Sequence, residues 1–329
     1  MEINWTGICF APGMDTLDTR YGPLAADGLV ERHPDGSLRA AFAAAPFALD
    51  TAVGRLTPQH SIDDTRRMHK PPVTFFPNGQ ARSVPLEHRT VVHTPAGPLP
   101  AELVTFHENG AIARVFPLNG KLSGYWTEAD EAGLAETLRV ATPIGTLYAK
   151  LVAVAFDPAG RLRSLTLWPG EEVTVRAPCG NVPVRLGLSF HPGGALRSLE
   201  PAKPLEVATP VGPLWAYDPD AVGISGDDNS LVFDGDGQVT RLATVRSALT
   251  ARLSDGSRQE LAPLVRDSIC GDGDQELTPL ILEFTAENLR ASHGTANPFA
   301  VLPRCGVHFA ARPFVAAFAL SFAPKQCSM

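Results

Sequence analysis

The chain is poor in cysteine. Only Cys9, Cys179, Cys270, Cys305 and Cys327 occur in 329 residues, an odd number at wide intervals. No C-x-x-C pair is present, which excludes a zinc knuckle and a disulfide scaffold and leads us to expect reduced thiols in a cytoplasm. Basic residues are also short: 28 Lys and Arg stand against 35 Asp and Glu, a formal charge of −7. That balance opposes a generic nucleic-acid binder, whose affinity rests on a basic footprint. Long apolar runs are missing too; Phe314 to Ala323 is too short to span a bilayer and reads as a buried strand. Met1 to Trp5 has neither the basic start nor the apolar run of a secretory signal.

Motifs that carry chemistry are likewise absent. There is no G-x-x-x-x-G-K-[ST] loop, no G-x-G-x-x-G between strand and helix, no G-x-S-x-G elbow and no H-E-x-x-H. Glu171-Glu172 and Asp227-Asp228 are neighbours only in sequence; on a strand they would point to opposite faces and could not converge on one bond. Cys305 and His308 stand close in sequence, but a nucleophilic pair is defined by geometry, and their expected role is structural. No cofactor is expected.

What is present is a repeated hairpin. With 44% apolar and 19% charged residues the chain has the material for a core, while 30 Pro and 29 Gly oppose long helices. Aligned on Gly36, Gly79, Gly110, Gly160, Gly194 and Gly237, the sequence shows six similar copies. Four residues before the glycine stands Arg32, Phe75, Phe106, Phe156, Phe190 or Phe233; six before it, Val30, Val73, Val104, Val154, Leu188 or Leu231. Apolar residues return two after it, as Leu38, Ala81, Ile112, Leu162, Leu196 and Val239. The next ones follow three further on, as Ala41, Val84, Val115, Leu165, Leu199 and Leu242. A strict strand would space them by two, so one extra residue, a β-bulge, is expected in every copy. A second series, Gly22, Gly54, Gly97, Gly145, Gly180, Gly212 and Gly256, marks the opposite hairpin ends, several of them written Thr-Pro-x-Gly. The unit is about 32 residues long, and such periods mean stacked units that bury their apolar faces together.

Three intervals are too long. They place insertions within 55–70, 119–136 and 216–230, and insertions in a repeat protein map to surface loops, where function concentrates. Insertion one contains His60, Asp63, Asp64 and His69, metal-ligand types at no standard spacing, with Arg66 and Arg67 beside them. Insertion two contains Tyr125 and Trp126, either a binding surface or packing for a helix. Thr127 and Asp130 make a capping box there, so the helix is expected to run to about Leu138. Insertion three and its flank carry Asp218, Asp220, Asp227, Asp228, Asp234 and Asp236, which suit turns or a cation. The metal candidates are therefore His60, His69, Asp227 and Asp228.

Every copy also carries an arginine just after its turn glycine: Arg39, Arg82, Arg114, Arg163, Arg197 and Arg241. Stacking would set them in a row along one side of the sheet, able to receive an acidic partner, anionic headgroups or phosphates, or to serve as a solvated face. The phenylalanine row is expected to be a core ladder.

Phe106-His107-Glu108-Asn109-Gly110 and then Arg114-Val115-Phe116-Pro117-Leu118-Asn119-Gly120-Lys121-Leu122-Ser123-Gly124-Tyr125-Trp126 resemble MORN-like repeats of the YwqK antitoxin type. The likeness is sharpest over 103–126 and does not reach the C-terminal piece. The copies here are longer, Thr-Pro-x-Gly turns are added, and only four tyrosines are present. The resemblance implies a repetitive antiparallel sheet used as a scaffold or binding surface; no catalytic residue carries over.

The expected fold is all-β: an antiparallel meander curled into a rolled sheet or open barrel. A repeat body spans 1–257 with an N-terminal cap strand over Met1 to Phe10, and a C-terminal capping segment spans 258–329. Within the latter, strands are expected at Leu277–Phe284, Val307–Ala310 and Phe314–Phe322, and a helical turn or two at Thr285–Ala291. The expected function is a non-catalytic cytoplasmic binding protein, monomeric or a small homo-oligomer, for a protein or anionic partner. The alternative is an enzyme or metal protein whose site is assembled from the insertions.

Overall fold

In the computed structural model, which describes residues 8–63, 65–120, 122–222, 229–267, 275–294 and 297–316, both glycine series close hairpins. The second series shows why threonine recurs there. At Thr94-Pro95-Ala96-Gly97 the glycine adopts φ +109°, the threonine hydroxyl donates to the Gly97 carbonyl at 2.7 Å, and the Ala96 N–H donates back to that hydroxyl. Thr19, Thr51, Thr142 and Thr209 donate to the carbonyls of Gly22, Gly54, Gly145 and Gly212 in the same way.

The expected bulge is present in all six copies. The residue four before the turn glycine, Arg32 in the first copy and phenylalanine in the others, pairs with the apolar residue two after it, and the next pair along the ladder skips one residue: Phe156 faces Leu162 while Ala155 faces Ser164. Arg39, Arg82, Ala113, Arg163, Arg197 and Thr240 are the extra residues. The bulge restores the alternation, so that Phe75, Phe106, Phe156, Phe190 and Phe233, together with Val84, Val115, Leu165, Leu199 and Leu242, are all buried.

Strands make up 57% of the described residues and helix 2%, an all-β protein. Two compact units divide it, 1–171 and 172–329, so the residues from 258 onward fall inside the second. The first holds β1 (Ile8–Thr19), β2 (Gly22–Arg32), β3 (Leu38–Ala43), β4 (Leu49–Thr51), β5 (Gly54–Leu56), β6 (Val73–Phe75) and β7 (Ala81–Thr94). It continues with β8 (Gly97–Phe106), β9 (Ile112–Phe116), helix α1 (Glu128–Leu134), β10 (Leu138–Thr142), β11 (Gly145–Ala149), β12 (Leu151–Phe156) and β13 (Leu162–Leu167). Its antiparallel meander runs β1-β2-β3-β6-β7-β8-β9-β12-β13. The hairpins β4–β5 and β10–β11 stand outside that ladder. Each is tied to it by backbone bonds, such as Ala141 N–H to the Ala96 carbonyl.

The second unit holds β14 (Val173–Ala177), β15 (Gly180–Phe190), β16 (Leu196–Pro201), β17 (Leu205–Thr209), β18 (Gly212–Ala216), β19 (Leu231–Phe233) and β20 (Val239–Thr244). It continues with β21 (Ser247–Arg252), β22 (Arg258–Leu261), β23 (Leu264–Asp267), β24 (Gln275–Thr278), β25 (Leu280–Phe284), β26 (Asn288–His293), β27 (Ala300–Pro303) and β28 (His308–Pro313). Its meander runs β14-β15-β16-β19-β20-β25-β26-β27. Among the described residues the meander does not close into a barrel.

One correction concerns Thr285–Ala291. It is a turn followed by β26, because the Thr285 hydroxyl donates to the Asn288 carbonyl and accepts the Asn288 N–H, closing a hairpin where a helix start was expected. The strand expected from Phe314 begins as irregular chain over 314–316, and the rest of it lies outside the described residues, as does Met1–Gly7.

The true period is longer than the hairpin. Gly22, Gly97 and Gly180 join strands of the main ladders, whereas Gly54, Gly145 and Gly212 close the side hairpins β4–β5, β10–β11 and β17–β18. Histidine follows the same alternation. His33, His107 and His191 stand three before the turn glycine in every other copy, and each Nε2 lies 2.9–3.0 Å from the carbonyl of the next copy's phenylalanine, Phe75, Phe156 or Phe233. Two hairpin copies and one side hairpin thus form a unit of roughly 80 residues, repeated three times.

Candidate functional site

Insertions one and two, separated by some fifty residues of ladder, meet on one arginine. Arg66 is fully engaged with two carboxylates. Its Nη1 and Nη2 donate to Glu102 on β8 at 2.9 and 2.7 Å; its Nε and Nη2 donate to Glu131 on α1 at 2.7 Å each. Side-chain exposure is 13% for Arg66, 6% for Glu102 and 9% for Glu131, so the triad is shielded from water. Planar guanidinium suits this double fork, which an ammonium could not reproduce.

One cation cannot balance two buried anions, and the surplus is met by hydrogen bonds. Trp126 Nε1 donates to Glu131 at 2.7 Å, the Gly120 N–H donates to Glu131 and the Asn119 N–H to Glu102. Burial alone would raise the Glu131 carboxyl; the bonds from Arg66 and Trp126 outweigh it and hold the group below its ordinary value, while the bonds to Glu131 and Glu102 raise Arg66. Gly120 is required by this approach, since a methyl group there would overlap the Glu131 carboxylate. The α1 capping box forms as expected, between Thr127 and Asp130, but the helix ends at Leu134 because Leu138 already starts β10.

The rest of insertion one is fastened with equal density. The Asp63 carboxylate accepts the Thr65, Arg66 and Arg67 N–H groups. Arg67 donates to the Leu86 and Glu87 carbonyls and to Gln59. Lys70 donates to Asp27 at 2.9 Å and to the Ala43 carbonyl. Glu87 takes the Ser61 hydroxyl and the His60 and Ser61 N–H groups; burial raises its carboxyl, but these bonds outweigh it and pull it down to about 2. Between the insertions lies a cavity of about 120 Å³ lined by Arg66, Met68, His69, Asn119 and Leu122. On this braced base stand exposed apolar side chains: Ile62, Leu122 and Tyr125 at 61%, 63% and 75%, with Met68 and Leu134 less exposed.

Of the residues singled out from sequence, Tyr125 is on this platform and exposed, while Trp126 is partly buried and held by Glu131, its ring 5.9 Å from the Arg66 guanidinium. His60 is turned to Glu87 at 3.3 Å and His69 lines the cavity. Asp227 and Asp228 lie outside the described residues, as does Asp64. Among the described residues no three His, Cys, Asp or Glu side chains converge with metal-binding geometry.

The six arginines are not equivalent. Arg39, Arg82, Arg163 and Arg197 are the exposed extra residues of their bulges, whereas Arg114 and Arg241 are ladder residues opposite Thr105 and Val232. Arg39 approaches Glu31 at 3.7 Å, Arg82 and Arg114 lie over Phe76 and Phe116, and Arg241 donates to the Asn229 carbonyl. Arg66, Glu102 and Glu131 did not stand out in the sequence. Glu102 alone left a trace, a carboxylate inside the apolar strand Pro98 to Phe106.

No family model, curated protein or solved structure matches the chain. Among the described residues no helix is long and apolar enough to cross a membrane.

Proposed function

We propose that this protein is a non-catalytic binding protein and that a polypeptide partner docks on the platform of insertions one and two. The observation that carries this reading is the Arg66 bridge, which fastens Glu102 of the ladder and Glu131 of the helix and so holds exposed Ile62, Leu122 and Tyr125 on a braced base. Apolar and aromatic anchors presented without loss of loop entropy are what protein interfaces use for affinity. The platform is favoured over the arginine row, whose members are divided between bulge and ladder positions. A cytoplasmic location is part of the proposal, supported by the free thiols of Cys179 and Cys305. The likeness to MORN-like repeats belongs to it as well, as a repetitive sheet used to carry a binding surface.

The test is native mass spectrometry of the protein purified gently from its own cells, beside a Leu122→Ser/Tyr125→Ala variant. A co-purifying polypeptide that is lost from the variant is the expected result. A polypeptide retained in full by the variant overturns the assignment to this platform.

A further inference from the structure

The second unit contains a cavity of about 470 Å³ that the docking platform does not use. Insertion three forms one wall of it through Asp218, Asp220, Asn229 and Ser230; Glu200 on β16, Arg241 on β20 and Glu283 on β25 reach it from the sheet. Glu200 is the unexpected member. It is completely buried, in a strand where Leu196, Ser198, Leu199 and Pro201 are buried as well. The Ser230 N–H and hydroxyl donate to it at 2.7 and 3.0 Å. The nearest cation offsets it only in part. Arg185 on β15 stays 3.8 Å away, gives its hydrogen bonds to the Asp218 and Pro219 carbonyls and stacks 5.4 Å from the Tyr217 ring centre. Arg241 likewise donates to a carbonyl, that of Asn229. Among the described residues, then, four carboxylates line a cavity, and the ion pair they make is the long one between Glu200 and Arg185. A buried acid left in this state costs stability, and proteins keep such groups where a ligand completes them.

We propose that this cavity binds a compact aliphatic amine, its ammonium group set against Glu200 and Asp218 and its methylenes along Ile281 and Ala243. The volume lies in the range of small-molecule sites. Among the described residues the lining has no aromatic ring on which a sugar or nucleobase could stack, and its acids do not converge in metal-binding geometry. Arg241 and the hydroxyls of Ser230 and Ser292 leave room for a second polar group on the ligand.

Binding is linked to pH. Burial pushes Glu200 up to about 7 and also raises Asp218; the charged groups around Glu200 are Arg185 on β15, Asp218 and Asp220 on the insertion, Arg241 on β20 and Glu283 on β25. An arriving ammonium favours the ionised form, so it expels a proton when it binds near or below neutrality.

Isothermal titration of the full chain with putrescine and spermidine tests this, at about pH 6 and about pH 8 in buffers of different ionisation heat. Saturable binding is expected, tighter by several-fold at the higher pH and with buffer-dependent heat at the lower one. Glu200→Gln should weaken it about tenfold and Asp220→Asn less, with circular dichroism confirming that both fold. Should Glu200→Gln fail to fold, Glu283→Gln with Asp220→Asn must show the loss. The proposal is overturned by the absence of binding heat at millimolar amine. It is equally overturned by binding that the cavity variants leave unchanged and salt abolishes, which is general attraction to an acidic protein.

Discussion

Replacing Arg66 with methionine leaves two buried carboxylates facing each other without their shared cation. The expected cost is about 3–5 kcal/mol, read as a lower urea midpoint, and it should shrink on acidification as Glu131 takes up a proton. Arg66→Lys should recover only part, because one ammonium cannot fork onto both partners. An unchanged midpoint in Arg66→Met would sink the clamp. Glu200 carries the opposite sign. Its folded pKa is raised from 4.5 to about 7, so its contribution to stability is fully present below about 4.5 and is lost as pH rises through about 7. Glu200→Gln should therefore remove a pH-dependent loss on the order of 3 kcal/mol between about pH 4.5 and 8, measured by denaturant titration across that range. Neither residue was legible in the sequence for what it does. Arg66, Glu102 and Glu131 are far apart along the chain and no spacing rule joins them. The trace they left was chemical: Glu102 and Glu200 sit inside strands whose neighbours are apolar, and a charge in such a place asks for a partner.

At the scale of the element, much more could be read. Asparagine or aspartate before glycine, flanked by period-2 apolar residues, specifies a hairpin because the backbone there needs positive φ. The break from two-residue to three-residue spacing specified the bulge, and each of the six copies has it. The longer period was missed, although His33, His107 and His191 occupy every other copy. Hydrophobic alternation is the same in both kinds of copy, so it could not separate strands that join the ladder from the side hairpins that leave it. The histidines could have done so, since a ring that reaches the next copy's carbonyl is a contact between copies. His107→Ala should cost about 1 kcal/mol, seen as a fall in melting temperature of a few degrees, by leaving the Phe156 carbonyl without that partner. No change in melting temperature would mean that the bond is made equally well by water.

For the whole molecule, the sequence holds a repeating body and three departures from its rhythm, insertions one and two among them. That they share an arginine could not be seen, because which loops meet is set by how the strands stack. The first unit has its own meander and contains the entire platform, from Asp27 to Glu136. A chain ending at Glu171 is therefore expected to fold by itself, with a cooperative urea transition and Trp126 shielded from quenchers. A non-cooperative transition with Trp126 open to iodide would show that this unit depends on the other.

The side hairpins leave a mark on how such a chain can change over generations. Insertions one and three occupy the same joint, between a side hairpin and the strand that rejoins the ladder, and the middle repeat keeps that joint short. Segments added there lengthen a connection that is already outside the ladder and disturb no register. The frame can thus stay the same while its joints differ in length, one joint carrying part of the proposed platform and another lining the proposed pocket.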